Sequence, residues 1–340
     1  MSSVADPRTP FRWQDGERLI VFGRGTVAGA GELLGAGYAL LSTPRAIAQA
    51  PQLVGHAAKV HEVGDGRVDE LAAELRTTVR GELLVALGGG RVIDVAKALA
   101  AAQPPSRVAA IPTTLSGAEM TGVHRHAAGV AEETPRVRPA IVINDPVLSA
   151  SQPRPELTAS GGNALGHALE GPLTRLANPV ATLAALDAAR LIVAGLGLDA
   201  RSAAVAEPDR DALALGALLA GYVIGSTGYG LHHVVSQTLV RFAGIGHGLA
   251  NSIMLPCSLR ALERRQPDVV GRLRTALGQD GGHLAARLRD LTGASRLRDL
   301  GVDEETLERC AEQAAQRAEL HLTPPAAELA ELRELYRAAW

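Results

Sequence analysis

Three consecutive glycines, Gly88 to Gly90, follow the apolar run Glu82 to Leu87 (ELLVAL) and open directly into the helical pattern Val92 to Ala102. A strand that turns into a helix within three residues must send the chain back across a sheet, and the same alternation recurs throughout the first half. Arg18 to Phe22, Tyr38 to Ser42, Lys59 to Val63, Glu82 to Leu87, Val108 to Ile111 and Ala140 to Ile143 read as strands, with a further helical pattern at Val68 to Val79. Most of these runs are short and nearly continuously apolar, as in a parallel sheet covered on both faces. The pattern predicts an α/β domain with a parallel sheet over residues 1–150.

After Asp145-Pro146 the texture changes. Asn163 to Leu169, Val180 to Leu196, Asp211 to Val223, Val234 to Leu239 and Thr306 to Leu320 all read as helices, with no alternating strand among them. This predicts an all-helical domain over 151–340, and 340 residues accommodate two domains sharing a cleft. With 3% aromatic residues the core must be built from Ala, Leu and Val. Ala212 to Leu231 is uncharged and of bilayer-spanning length, but Gly216, Gly221, Gly225, Gly228 and Gly230 punctuate it and it runs into His232-His233. It reads as a buried helix beside a site, and no membrane partner is expected.

A formal net charge of −2 offers no footprint for nucleic acid, and the arginines between Arg260 and Arg274 are interrupted by Glu263 and Asp268 like a solvated helix face. Cys257 and Cys310 are too few for a disulfide framework or a cysteine zinc site, and Met1 to Gln14 lacks the apolar core of a signal peptide. A reducing, cytoplasmic setting is the expectation.

Two glycine clusters compete to be a phosphate-binding loop. Gly23-Arg24-Gly25-Thr26-Val27-Ala28 fits the loose dinucleotide pattern, but Ser42-Thr43 stands where that pattern expects an acidic residue, and a plain strand-to-helix turn explains it as well. In Gly88 to Gly90, glycines without Cβ atoms let the backbone approach a pyrophosphate while helix-start N–H groups point at it. Asp94 and Lys97, three apart, are both able to face the cleft, although a tight turn with an exposed ion pair would use the same residues.

Taken with its neighbours, GGGRVIDVAK (residues 88–97) resembles the GGGSxxDxAK element of iron-containing alcohol dehydrogenases. Pro112 to Thr121 (PTTLSGAEMT) resembles the following PTTxxGSEMT element, at the spacing of the maleylacetate reductase branch. Ser42-Thr43-Pro44 and Asn144-Asp145-Pro146 are similar to that branch too. The resemblance implies the dehydroquinate synthase-like fold of that superfamily, a homodimer, and an NADH- or NADPH-dependent oxidoreductase of aromatic-compound catabolism. It places Thr43, Gly88, Gly89, Gly90, Asp94, Lys97, Thr113 and Thr114 around the cofactor. No carboxylate near Thr43 repels a 2′-phosphate, and Arg45 is able to pair with one, so either dinucleotide is allowed.

In the second half, Asn163 and His167 lie four apart on one helix face, followed by His232-His233 and by His247 between Gly246 and Gly248. The resemblance assigns the superfamily's one-Asp, three-His metal set to Asn163, His167, His233 and His247. With Asn in place of the only anionic ligand, the cation's charge is left uncompensated, and no metal is expected, a vestigial ion on the three histidines aside. Gln237 stands where the branch has a further His and cannot shuttle a proton near neutral pH. The catalytic candidates are thus His167, His233, His247, Asn163 and Gln237, with Arg125, His126 and Lys97 as contacts for a carboxylate-bearing enone or ketone. The rival readings are a metal-dependent alcohol or aldehyde reductase, a metal-dependent lyase or cyclase that recycles its dinucleotide, and a catalytically silent homologue.

Overall fold

The computed structural model describes residues 6–198, 207–293 and 296–340. It comprises two compact units, the first being 1–153 together with 210–221, the second 154–209 together with 222–340.

The first unit holds one seven-stranded sheet of β1 (Phe11–Asp15), β2 (Arg18–Phe22), β3 (Tyr38–Ser42), β4 (Ala57–Glu62), β5 (Leu83–Gly88), β6 (Arg107–Pro112) and β7 (Ile141–Asn144), in the order β1-β2-β7-β6-β5-β3-β4. All pairings are parallel except the β1–β2 hairpin. Four α-helices connect them: α1 (Ala30–Leu34), α2 (Pro44–Ile47), α3 (Val68–Leu75) and α4 (Gly90–Ala102). Leu40, Val85, Ala109 and Ile143 fill the core on one face of the sheet, and Leu41, Ala86 and Ala110 with Ile93, Ala96 and Leu99 of α4 fill it on the other. Coverage on both faces is why these strands carry so little alternation.

The strand order reverses between β3 and β5. Register pairs Ser42 with Leu87 and Gly88 with Pro112, so the carboxyl ends of β3, β5 and β6 finish level. Crevices of this kind, at a switch point of an open parallel sheet, are where such sheets bind ligands.

The one strand the patterning misses is β1. Its sequence FRWQD is half-exposed at the sheet edge, and it is pinned by a hairpin turn at Gly16 (φ 60°) and by Phe11 stacking on Phe22 at 5.1 Å.

Helices α5 (Arg154–Glu170), α6 (Pro179–Gly195), α7 (Arg210–Thr227), α8 (Leu231–Ala243), α9 (His247–Arg265), α10 (Pro267–Leu277), α11 (Gly281–Leu291), α12 (Glu304–Ala315) and α13 (Leu329–Ala339) follow, and among the described residues the second unit contains no strand. Its core gathers Leu231, Val234, Val235 and Leu239 of α8 with Met254, Cys257, Cys310 and Tyr336, so both thiols are buried and free. No single described helix is long and apolar enough to cross a membrane; α7 and α8 together have the length and composition, but they are bent by 103° at the break around Gly228 to Gly230.

A sequence boundary at 150 gives all of α7 to the helical domain, whereas its first turns, Arg210–Gly221, group with the sheet. Three contacts explain this. Asp211 is buried and receives Arg24 in a bidentate pair, Nε at 2.7 Å and Nη2 at 2.8 Å. Arg210 donates to the carbonyls of Ser149 and Gln152. Gly221 lies directly on Gly117 (φ 72°): a Cβ on Gly221 would sit 2.7 Å from the Gly117 carbonyl oxygen.

Because that obstacle is backbone, Gly221→Ala is expected to lower stability by about 1–3 kcal/mol, the cost of forced overpacking. Gly271→Ala, in α10 with nothing within 4 Å of the new methyl, is the control and should be neutral or stabilising by up to about 1 kcal/mol. Calorimetric melting of the two variants checks this, and equal Tm values for Gly221→Ala and the parent would show that the contact yields.

Candidate functional site

The crevice of the first unit is built by its glycines. Gly88 ends β5, Gly89 precedes α4 and Gly90 opens it, and no side chain caps this helix. Its first-turn N–H groups are therefore left for an anion, which the positive end of the helix dipole also favours. Added Cβ atoms would meet Val92 at 2.7 Å from Gly88, Thr114 at 3.0 Å from Gly89 and Ser116 at 2.9 Å from Gly90. The glycines thus also let the segment after β6 close onto the helix start. Thr113 is buried there and its N–H donates to the Gly88 carbonyl at 3.0 Å. An uncapped helix entrance at a sheet switch point fits the diphosphate of a dinucleotide.

Thr43 stands at the end of β3, where its Oγ1 accepts the N–H of Ala46 at 3.2 Å and caps α2; Arg45 beside it is exposed.

Lys97 differs from its expectation. It is fully buried, and its ammonium donates to the carbonyls of Ala118 at 3.0 Å, Thr121 at 3.3 Å and Val123 at 2.8 Å, with Asp94 Oδ1 at 2.7 Å. Its donors are consumed in clamping the loop that follows β6, so it is not a cation waiting for substrate. Asp94 compensates that buried charge.

Two residues of this region escaped the sequence reading. Arg18 is buried, donates to the carbonyls of Pro139 and Glu119, and is pushed down to about 10 by burial and by Arg138. Glu119 is 1% exposed; burial lifts its carboxyl to about 7 against the pull of Lys97 and Arg18, and its Oε2 has no partner. The available signal was a charged residue opening an otherwise apolar strand and another inside the GAEMT turn.

Arg125 is exposed, while His126 is half-buried with both ring nitrogens enclosed and without a partner. Its ring lies edge-on to His124 at 5.4 Å. His124 Nε2 accepts the N–H of Val137 at 3.1 Å, which leaves Nδ1 to donate to the Arg125 carbonyl at 2.9 Å.

In the second unit, α5, α8 and the start of α9 converge because glycines face their neighbours. A Cβ on Gly166 would lie 2.5 Å from His232 Nε2, one on Gly162 2.4 Å from Ser252 Oγ, and one on Gly248 2.9 Å from the backbone of Ala159. His167 stacks on His233 with ring centroids 4.6 Å apart, and His232 meets His233 edge-on at 4.7 Å. His247 is exposed, and its Nε2 lies 3.1 Å from Asn163 Oδ1. The four residues expected together, Asn163, His167, His233 and His247, do therefore share one site.

Burial, reinforced by neighbouring imidazoles, lowers His167 well below the usual histidine range, and burial lowers His232 and His233 to about 3. All three are neutral at physiological pH. Gln237 lies one turn beyond His233, where its Oε1 accepts from Arg317 at 3.2 Å; that arginine also binds Glu319 and the Tyr229 hydroxyl.

Glu170, the last residue of α5, was missed. It is 1% exposed; Oε1 accepts the His232 backbone N–H at 2.6 Å and Oε2 lies 2.7 Å from His233 Nδ1. The signal was a glutamate closing an apolar helix three residues after His167.

The residues that would hold a metal in this site are Asn163, His167, His233 and His247. Among the described residues no three His, Cys, Asp or Glu side chains converge to hold an ion. Asn163 Oδ1 lies against His247 Nε2, while the Glu170 carboxylate meets His233 Nδ1 and leaves His233 Nε2, like His167 Nδ1, buried without a hydrogen-bond partner.

The raised carboxyl of Glu119 has a consequence for stability. Its folded value, about 7, exceeds the ordinary 4.5, so the folded chain keeps a proton that the unfolded chain releases. Stability from this group is greatest below pH 4.5 and falls as the pH rises to 7, by a total on the order of 3 kcal/mol. Urea unfolding across this window should show Glu119→Gln flattening the decline; a variant tracking the parent at every pH would contradict it.

Comparison with known proteins agrees with this geometry. Residues 18–146 match the iron-containing alcohol dehydrogenase family, and residues 157–340 match the Fe-containing alcohol dehydrogenase family, C-terminal. Maleylacetate reductase 1 of Rhodococcus opacus is 33% identical over 282 residues, covering 80% of this chain and 76% of that protein. A maleylacetate reductase of a Rhizobium species is 30% identical over 328 residues, covering 90% and 91%. The crystal structure of maleylacetate reductase from Agrobacterium tumefaciens matches with a TM-score of 0.81 at 28% identity over 98% of each chain. The chain belongs to the iron-containing alcohol dehydrogenase family, and stands within it as a maleylacetate reductase-like oxidoreductase.

Proposed function

We propose that the protein reduces a small carboxylate-bearing enone or ketone, maleylacetate or a close relative, with NADH or NADPH and without a metal ion. The observation that carries the reading is a stacked pair of buried, neutral imidazoles, His167 and His233, in one site with Asn163, where a metal-dependent member would place a carboxylate. The dinucleotide, when bound, supplies the hydride. As hydride adds to the alkene carbon β to the ketone, an electron pair moves onto the carbonyl oxygen. That oxygen then needs fixed donors in a place shielded from water. Neutral imidazole offers one N–H per ring, so the buried His167 and His233 are available by hydrogen bond, with His247 as the third candidate, by hydrogen bond or protonation. A proton delivered to the carbon next to the carbonyl completes the saturated ketone. Either dinucleotide is accommodated, since no carboxylate stands between Ser42 and Arg45 to repel a 2′-phosphate. A homodimer in the cytoplasm belongs to the same reading, on the family resemblance.

One observation favours a second reading, a metal-dependent alcohol or aldehyde reductase: His167 Nδ1 and His233 Nε2 are buried without partners. NAD(P)H oxidation measured over maleylacetate, related oxo-acids and aldehydes, with and without chelator, separates the two. The proposal expects turnover on the acids that survives chelation, and His167→Phe lowering kcat by roughly 100-fold, the scale of losing one oxyanion donor. Turnover abolished by chelator and restored by Zn²⁺ or Fe²⁺ would favour the second reading, and no turnover on any acid would remove the substrate class.

A further inference from the structure

We infer that Gln237 supplies a fixed N–H donor for a substrate carboxylate, and that Arg317 is the positioning residue that aims it. Arg317 Nη2 donates to Gln237 Oε1 at 3.2 Å, to the Tyr229 hydroxyl at 3.2 Å and to Glu319 Oε1 at 2.7 Å. Its Nε donates to Glu319 Oε2 at 3.0 Å. A guanidinium has donors only, so the end of the amide that faces it has to be the oxygen. The two amide protons of Gln237 are thereby turned the other way. One meets the Tyr229 hydroxyl, and no described residue accepts the second. Further observations put that donor in the histidine site. Gln237 lies four residues after His233 on α8, so both project from one face of the helix. The Tyr229 ring, held by the same arginine, tilts against the His233 ring with centroids 5.9 Å apart. From Leu231 to Leu239 every residue of α8 is buried except Gln237, so along this stretch the helix is open at this side chain alone.

The inference deepens the proposed function and rests on it for the identity of the ligand. One helical turn, about 5.4 Å, separates Gln237 from His233, so a ketone held at the histidines brings a carboxylate a few bonds away within reach of the amide. Glu319 takes up the charge of Arg317, which leaves the amide as a neutral donor whose strength does not change near neutral pH. Read from sequence, Gln237 is a loss, because it cannot shuttle a proton; with its orientation fixed it is a recognition group.

Three variants of the whole protein test this. Gln237→Met removes the donor without adding charge, and Gln237→Glu keeps an oxygen for Arg317 but puts an anion in place of the amide N–H. KM for the acid turned over is expected to rise about 10-fold in Gln237→Met and further in Gln237→Glu, with kcat falling by less than KM rises. Arg317→Lys keeps the positive charge, but a single ammonium in place of the planar fork no longer holds Glu319, Tyr229 and Gln237 together. It should raise KM roughly 3- to 10-fold in the parent and add nothing in the Gln237→Met background. Arg317→Gln serves in the same cycle if the lysine variant does not fold. An unchanged KM in Gln237→Met overturns the donor role, and equal effects of the Arg317 substitution in both backgrounds overturn the positioning role. Maleate, a dicarboxylate without a ketone, separates this inference from the substrate reading when it is titrated calorimetrically with NAD+ or NADP+ present. Its dissociation constant should rise about 10-fold in Gln237→Met whether or not any acid is reduced. A parent that binds maleate in this way yet reduces none of the acids refutes the substrate class and leaves the donor standing. A parent that does not bind maleate, or a Gln237→Met that binds it as tightly, overturns the inference.

Discussion

The ammonium of Lys97 is the contact on which the glycine-lined edge of the sheet depends. A fully buried cation is costly unless its hydrogen bonds are satisfied and its charge is compensated. Here three carbonyls of one loop and the carboxylate of Asp94 do both. The arrangement ties the loop after β6 to α4, and that loop supplies Thr114 and Ser116, which press on Gly89 and Gly90. With the loop seated, the helix entrance has one shape and its free N–H groups one direction. Arg18 and Glu119 extend the network to β2, so a short run of polar side chains beneath the crevice fixes what the apolar sheet leaves free.

The histidine site is organised by the opposite means. Glycines on α5 and α9 draw the helices together until imidazoles stack, and burial then strips those rings of charge. Neutral rings distinguish donors from acceptors, which charged rings do not. Glu170 joins this site through His233 Nδ1 at 2.7 Å and the His232 backbone N–H at 2.6 Å. Asn163 adds no charge to this site.

Much of this was legible in the sequence. Six of the seven strands and the change to helices near residue 150 follow from apolar runs and their spacing, because a sheet covered on both faces leaves a period-free signature. The edge strand β1 did not, since its residues alternate with polar ones and its partner is a hairpin. The three glycines at 88–90 stood out for the backbone freedom they give, and the histidines by their number. What sequence could not show is where a charge points. Lys97 and Asp94 read as facing a cleft, yet the helix turns Lys97 under a loop distant in sequence. Glu170 and the Arg24–Asp211 pair are similarly invisible, since their meaning lies in partners 63 and 187 residues away.

The central claim is that the uncapped, glycine-lined start of α4 seats a dinucleotide. Titration calorimetry of NADH and of NADPH into the whole protein tests it most directly, because heat of binding needs no correct guess at a substrate. The account predicts saturable one-site binding of at least one of the two. Absence of binding heat for both, over a range of temperatures that excludes a chance zero in enthalpy, would contradict it.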